Sequence, residues 1–436
     1  MIRKLQEFLF FNKNPFQTVA KNTFWLFFGQ ISGRLLRAAI VIYAARLLGA
    51  ANWGAFSYAL GVAAFLTIFS DIGINALVTK IAAREPESKE KYISTAFFTK
   101  IGLLIILAAV ALIAFPYLTK IPEAIALMTI AVLIFSFDTI RELGSAISRA
   151  LEKMEIEASI GIFTNLAIVV LGFLFLSLQP TAGSLAVAYA VGSGLGLIAI
   201  FITLKNHLRG LLSGFDLKLA KEIFFSAWPF GLMGLMGVIM LNTDIIMLGW
   251  LRSSEEVGYY SAAQKPIQLL YVLPTLLATS VFPMIARLAK LSPEIVKNIL
   301  EKALAIVVLI AIPITVAGVL LANPIMNLLF GVEYAPGIAT FQILMLTILI
   351  VYPSTIIGNA IFAFDQQKHF ITFTLVAALG NVAFNFLLIP RFGIEGAAIS
   401  TVTTQLITNI LIWYRIRKMI GLRVWPQIQY YLSKIK

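Results

Sequence analysis

Stretches of about 20 mostly apolar residues recur along nearly the whole of this 436-residue chain. A bilayer core about 30 Å thick takes that length of helix to cross, and hydrocarbon offers a backbone amide no partner. A sequence of this kind can fold only as helices that satisfy their own amides. Composition agrees: 60% of residues are hydrophobic, 13% are charged and mean hydropathy is +0.91, well outside the range of soluble domains. The chain is read as an all-α integral membrane protein with little left over for a soluble domain.

Hydropathy and its breaks place twelve helices near 17–46, 54–83, 92–117, 122–149, 157–179, 183–205, 221–250, 256–287, 298–322, 336–364, 369–390 and 394–418. With this division, 25 of the 34 lysines and arginines fall on one side of the membrane and four, Arg46, Lys120, Arg252 and Arg391, on the other. The positive-inside rule then makes both termini cytoplasmic in the cell membrane. It also accounts for the net charge of +13 without invoking nucleic acid. The segments follow: an interfacial amphipathic helix over 1–16, a lobe of six spans over 17–205, a cytoplasmic linker over 206–220, a second six-span lobe over 221–418 and a basic cytoplasmic tail over 419–436.

The second half echoes the first. "NWGAFSYA" at 52–59 corresponds to "EVGYYSAA" at 256–263, and "GSAISRALEK" at 144–153 to "GNAIFAFDQQ" at 358–367. Six spans per copy is an even number, so both copies enter the membrane in the same sense. Parallel repeats of this kind favour a cavity between two lobes and alternating access. Pro229, Pro266, Pro274, Pro283, Pro313 and Pro353 interrupt spans of the second lobe, where each removes a helical hydrogen bond.

Five cations and four acids remain inside the spans: Arg34, Arg37, Lys100, Arg141 and Lys265 against Asp71, Asp138, Glu142 and Asp244. A charge at mid-bilayer costs about 2.5–3.5 kcal/mol even on the lenient insertion scale, so each should face a partner or a cavity. Gln30, Arg34 and Arg37 share one face of the first span at i, i+4 and i+7, with Gly29 and Gly33 on the adjoining face at a spacing that admits a close neighbouring backbone. A guanidinium is a permanent charge with a planar fork of donors suited to phosphate or carboxylate. The stripe is therefore either an anion site or the internal counter-charge of Asp71 or Asp138. Arg141 can be satisfied on its own helix by Asp138 and Glu142, and Asp244 can pair with Lys265 across a hairpin. Lys100 is near enough to the cytoplasmic end of its span to snorkel.

Nothing in the sequence marks an enzyme. The loops are short, there is no phosphate-binding loop, and His207 and His369 have no ligands at metal spacing, so catalytic residues, metal and cofactor are all expected to be absent. The balance of mid-span charge separates two kinds of carrier. A cation-coupled multidrug antiporter needs a carboxylate lining its cavity, and a carrier of anions needs the reverse. The basic stripe favours the second.

The stretch 44–84, "AARLLGAANWGAFSYALGVAAFLTIFSDIGINALVTKIAAR", resembles the opening signature of the polysaccharide-transporter (O-antigen-type flippase) branch of the multidrug/oligosaccharidyl-lipid/polysaccharide exporter superfamily. Arg46, Gly49, Gly54, Phe56, Asp71 and Gly73 match, and Trp53 stands where the family usually has Tyr. "NTDIIMLGWLRSSEEVGYYSAAQK" at 242–265 and "FGIEGAAIST" at 392–401 are similar to later signatures. The resemblance implies a MATE-like two-lobe flippase for oligosaccharide on a polyprenyl phosphate or pyrophosphate carrier. Arg34, Arg37, Lys265 and Gln30 would hold the anionic headgroup. Asp71, Asp244, Asp138 and Arg141 would be ion-coupling or structural groups, with Na⁺ or H⁺ as the coupling ion. The expected partners are the lipid-linked substrate and membrane lipids, with the protein a monomer working beside polysaccharide assembly enzymes.

Overall fold

The computed structural model describes residues 10, 12, 15–84, 89–208, 214–288, 291–364 and 367–435. The interfacial helix expected over 1–16 lies almost wholly outside them. The described residues are helical throughout, with no strand among them. The helices are α1 (Pro15–Asp71), α2 (Ile74–Arg84), α3 (Lys89–Leu118), α4 (Pro122–Ala150), α5 (Met154–Leu178), α6 (Ala182–Leu204), α7 (Leu217–Leu251), α8 (Ser254–Leu270), α9 (Val272–Leu288), α10 (Pro293–Leu320), α11 (Ala322–Phe330), α12 (Ile338–Met345), α13 (Thr347–Ala363), α14 (Gln367–Ile420) and α15 (Val424–Ile435).

Among the described residues, eight helices are long and apolar enough to cross a membrane. Two of these are too long for one crossing: α1 has 57 residues and α14 has 54, about 80–85 Å of helix against a core of about 30 Å. Each breaks at a glycine in the left-handed region, Gly49 (φ 72°) and Gly393 (φ 57°), a conformation a side chain would resist. Both breaks fall in turns that hydropathy places between successive spans.

The chain divides into two compact units, Met1–Val238 and Ile239–Lys436, with the boundary inside α7. In the first, small residues let helix backbones meet. A Cβ added at Gly29 would lie 2.8 Å from the Cβ of Ala158, and one at Gly33 would lie 2.9 Å from Nδ2 of Asn165, so the glycine face of α1 seats on α5 as its spacing predicts. Gly192 and Gly196 of α6 meet Ile168 and Thr164 of α5 in the same way. The remaining core of this unit joins α2, α3, α4 and α6 through Ile74, Leu77, Ile93, Leu143, Ile147 and Ile200.

In the second unit, a polar clamp fixes the α14 break. Arg252 donates to the carbonyls of Ile389 (2.5 and 3.1 Å) and Pro390 (2.8 Å), which the break would otherwise leave without partners. Ser253 and Glu256 form a reciprocal cap at the start of α8. A Cβ at Gly393 would lie 2.9 Å from Glu256 Oε1, a flexible side-chain end that could shift, so it is the positive φ of this turn that calls for glycine.

Candidate functional site

The cationic stripe of α1 is exposed where it carries its polar groups and buried beyond them. Gln30, Arg34 and Arg37 are exposed, whereas Val41, Ala44, Ala45 and Leu48, which continue the face by successive turns, are buried. Arg37 Nε donates to Asn165 Oδ1 of α5 at 3.2 Å, and Asn165 is itself held by the Gly161 carbonyl at 2.8 Å. The Gly33–Asn165 approach thus places the amide that orients Arg37. Arg34 has no hydrogen-bond or ion-pair partner among the described residues.

Neither candidate counter-charge serves the stripe. Asp71 Oδ1 accepts from Lys100 Nζ at 2.8 Å and from the Asn75 amide at 3.2 Å, and Lys100 also donates to Asn75 Oδ1 at 2.8 Å. Lys100 is buried in this pair, so it does not snorkel to the membrane surface. Burial is possible because the turn Asp71–Ile72–Gly73, with Ile72 at φ 41° and Gly73 at φ 83°, ends α1 and points the carboxylate across at α3. Asp138 pairs with Arg141 on α4 at 3.1 and 3.3 Å. Glu142 lies within electrostatic range of Lys100, Arg141, Asp138 and Asp71, so this end of the unit holds a cluster of three acids and two cations.

The second unit contains a different arrangement. Asp244 of α7 is fully buried and accepts from Tyr260 (2.5 Å), Thr401 (2.5 Å), Asn385 (2.7 Å) and Asn381 (3.3 Å). All four partners are neutral, so the expected pairing with Lys265 does not form. Lys265 is half-buried on α8, five residues beyond Tyr260. Asn385 donates to Asn381 Oδ1 at 3.1 Å, and Asn381 also meets Ser400. Asn385 Oδ1 is buried with no donor. The carboxylate thus receives two amide N–H groups and two hydroxyls, and beside them one buried amide oxygen, Asn385 Oδ1, is unused. Sequence reading found Asp244 but not its ring, although two asparagines four residues apart in "AALGNVAFNFLL" are a visible polar pair in an apolar run.

Arg34 and Arg37 belong to the first compact unit and Lys265 to the second. The linker before α7 is pinned within the first unit: Asp216 caps the helix through the Lys218 and Leu219 amides and pairs with Lys91 at 2.7 Å. Its bond to Lys91 is the main reason its carboxyl is pushed down to about 2.

A family model described as "Polysaccharide biosynthesis protein" matches residues 19–289. The chain is 24% identical to the capsular polysaccharide biosynthesis protein CapF of Staphylococcus aureus, over 91% of this chain and 98% of that one. It is also 24% identical to a putative O-antigen transporter of Escherichia coli K12, over 91% and 96%. Its backbone is similar to an inward-closed lipid II flippase MurJ (TM-score 0.71, 17% identity, 91% and 87% covered) and to an inward-facing MATE multidrug transporter of the MOP superfamily (0.72, 16%, 90% and 98%). Those likenesses establish the fold. With the family match covering well over half the chain, and apolar helices throughout, this multi-pass membrane protein belongs to the polysaccharide biosynthesis protein family.

Proposed function

We propose that this protein is a flippase that moves a lipid-linked oligosaccharide, on a polyprenyl phosphate or pyrophosphate carrier, across the cytoplasmic membrane for assembly of a surface glycan. The observation that carries this reading is the α1 stripe: Arg34 exposed and without a counter-ion, and Arg37 oriented by an amide rather than neutralised by an acid. A mid-span guanidinium facing lipid would cost about 2.5–3.5 kcal/mol, so an exposed pair fits a polar cavity whose occupant is an anion. A phosphate or pyrophosphate headgroup matches the forked donors. Relatives bearing the names O-antigen transporter and probable flippase support the cargo class.

The proposed architecture has twelve spans, six in each lobe, with both termini cytoplasmic. It rests on the distribution of basic residues and on the two glycine breaks that divide α1 and α14. In that orientation, the exposed end of the stripe opens toward the cytoplasm and its buried continuation lies toward the outside. A headgroup would enter from the cytoplasmic leaflet and meet Arg34, Arg37 and Gln30, while the lipid tail stays in the bilayer. Rocking of the lobes would release it outside. The protein would act as a monomer, receiving its cargo from polysaccharide assembly enzymes.

The oxygen ring around Asp244 is the proposed coupling site for Na⁺ or H⁺. The buried carboxylate can take up a proton, or, with rotation of the hydroxyls and of the Asn385 amide, offer oxygens to a small hard cation, and Asn385 Oδ1 is already unpaired beside it. Asp71 and Asp138 are already neutralised by Lys100 and Arg141, which makes them structural in this scheme.

The test is flipping of a fluorescent polyprenyl-pyrophosphate oligosaccharide in proteoliposomes, comparing wild type with Arg34→Gln/Arg37→Gln at matched incorporation. Loss of flipping in the double variant is expected. Unimpaired flipping, or transport of cationic dyes that ignores the arginines, overturns the anion site and favours a cation-coupled multidrug antiporter.

A further inference from the structure

After Glu395 the chain contains no acidic residue at all, yet it carries Arg415, Arg417, Lys418, Arg423, Lys434 and Lys436. The structure shows where this charge is displayed. Gly421, at φ 64°, ends α14 by donating its amide to the Arg417 carbonyl at 2.9 Å, and the chain turns away into α15. Buried Leu422 and a hydrogen bond from the Arg423 amide to Glu301 of α10 (2.7 Å) hold the turn in place.

On α15 the inward stripe is Val424, Ile428 and Tyr431. The outward face carries Trp425 (65% exposed) and Leu432 (47% exposed), seven residues apart and therefore in line along the helix. On the flank, Lys434 sits over the Tyr430 ring at 4.9 Å, and the exposed Lys302 of α10 is close enough to act on the Tyr430 hydroxyl. Arg417, Lys418 and Arg423 are exposed at the start of the same surface. An exposed Trp–Leu edge bordered by basic residues, with the Glu301 carboxylate beside it buried, directly after a membrane-crossing helix, has the amphipathic and electrostatic character of an interfacial helix.

We infer that α15 and the basic end of α14 form a docking surface for anionic phospholipid headgroups, with Trp425 and Leu432 entering the acyl boundary and the cations contacting the lipid phosphates. Each basic residue close to an anionic surface raises the docked population about fivefold. The inference needs only that the protein is embedded in a membrane, and stands apart from the cargo assigned above.

The chain has no cysteine, so a single Gln429→Cys on the outward face of α15 can carry an environment-sensitive fluorophore. The full-length labelled protein is placed in nanodiscs of phosphatidylcholine alone or mixed with phosphatidylglycerol, each containing lipids spin-labelled near the headgroup. Quenching should be at least about fivefold greater with phosphatidylglycerol, should fall in molar salt where the Debye length is about 3 Å, and should be lost in Arg417→Gln/Lys418→Gln/Arg423→Gln/Lys434→Gln. Equal quenching in both lipids, or quenching only by aqueous iodide, overturns the inference, as does quenching that appears only when an acidic protein is added. Should the four-fold variant fold poorly, the lipid and salt comparisons on the wild-type background decide the matter alone.

Discussion

Lys100 is 1% exposed and Asp71 28% exposed, and this difference predicts which half of their pair is costlier to remove. In Asp71→Asn the Lys100 ammonium stays buried with amide oxygens as its direct partners and Glu142 within electrostatic range but not hydrogen-bonded to it, and loss of the direct counter-ion of a buried charge costs up to about 3–5 kcal/mol. In Lys100→Met the Asp71 carboxylate keeps the Asn75 amide and gains water on its exposed side, so the loss is nearer that of a charged hydrogen bond, about 1.5–3 kcal/mol. Asp71→Asn/Lys100→Met removes both charges and should recover most of the larger loss. The measurement is denaturant unfolding in mixed micelles, followed by a helical signal, with the four proteins forming a double-mutant cycle. A coupling below about 0.5 kcal/mol would mean that the pair carries no energy, and a lysine variant less stable than the aspartate variant would mean that burial does not set the order. Either result refutes the reasoning.

Two further outcomes follow from the geometry. Asp244→Asn preserves the shape of the buried ring but removes its charge, so the protein should fold and lose any stabilisation by Na⁺ over choline, which for the wild type amounts to about 2.7 kcal/mol at a hundred times the dissociation constant. Sodium-dependent melting that survives the substitution places the ion elsewhere. Gly231→Ala would put a Cβ 2.5 Å from the Ile72 carbonyl carbon and 2.7 Å from its Cα and O, atoms of a backbone turn with little freedom to retreat. About 1–3 kcal/mol of destabilisation is expected by the same micellar unfolding, and an unchanged midpoint would show that the two backbones are not in contact.

The features legible in the amino-acid order are those set by helical spacing. The face shared by Gln30, Arg34 and Arg37, the small-residue seat at Gly29 and Gly33, and the Asp138–Arg141 pair all follow from i, i+3 and i+4 geometry, which holds wherever a helix forms. Hydropathy determines the membrane class and the run of helices for a similar reason, because a backbone in hydrocarbon has so few alternatives. Partners between helices were not legible in this way. Lys100 is 29 residues from Asp71, and Thr401 is 157 from Asp244; which of many polar side chains meet depends on helix rotation and crossing, fixed by contacts such as Gly29 on Ala158 and Gly196 on Thr164. Charge alone suggested Lys265 for Asp244 and the membrane surface for Lys100. The tertiary structure instead surrounded one carboxylate with amides and hydroxyls and buried the lysine beside the other, because a side chain is satisfied by the group that packing brings within 3 Å rather than by the opposite charge nearest in sequence.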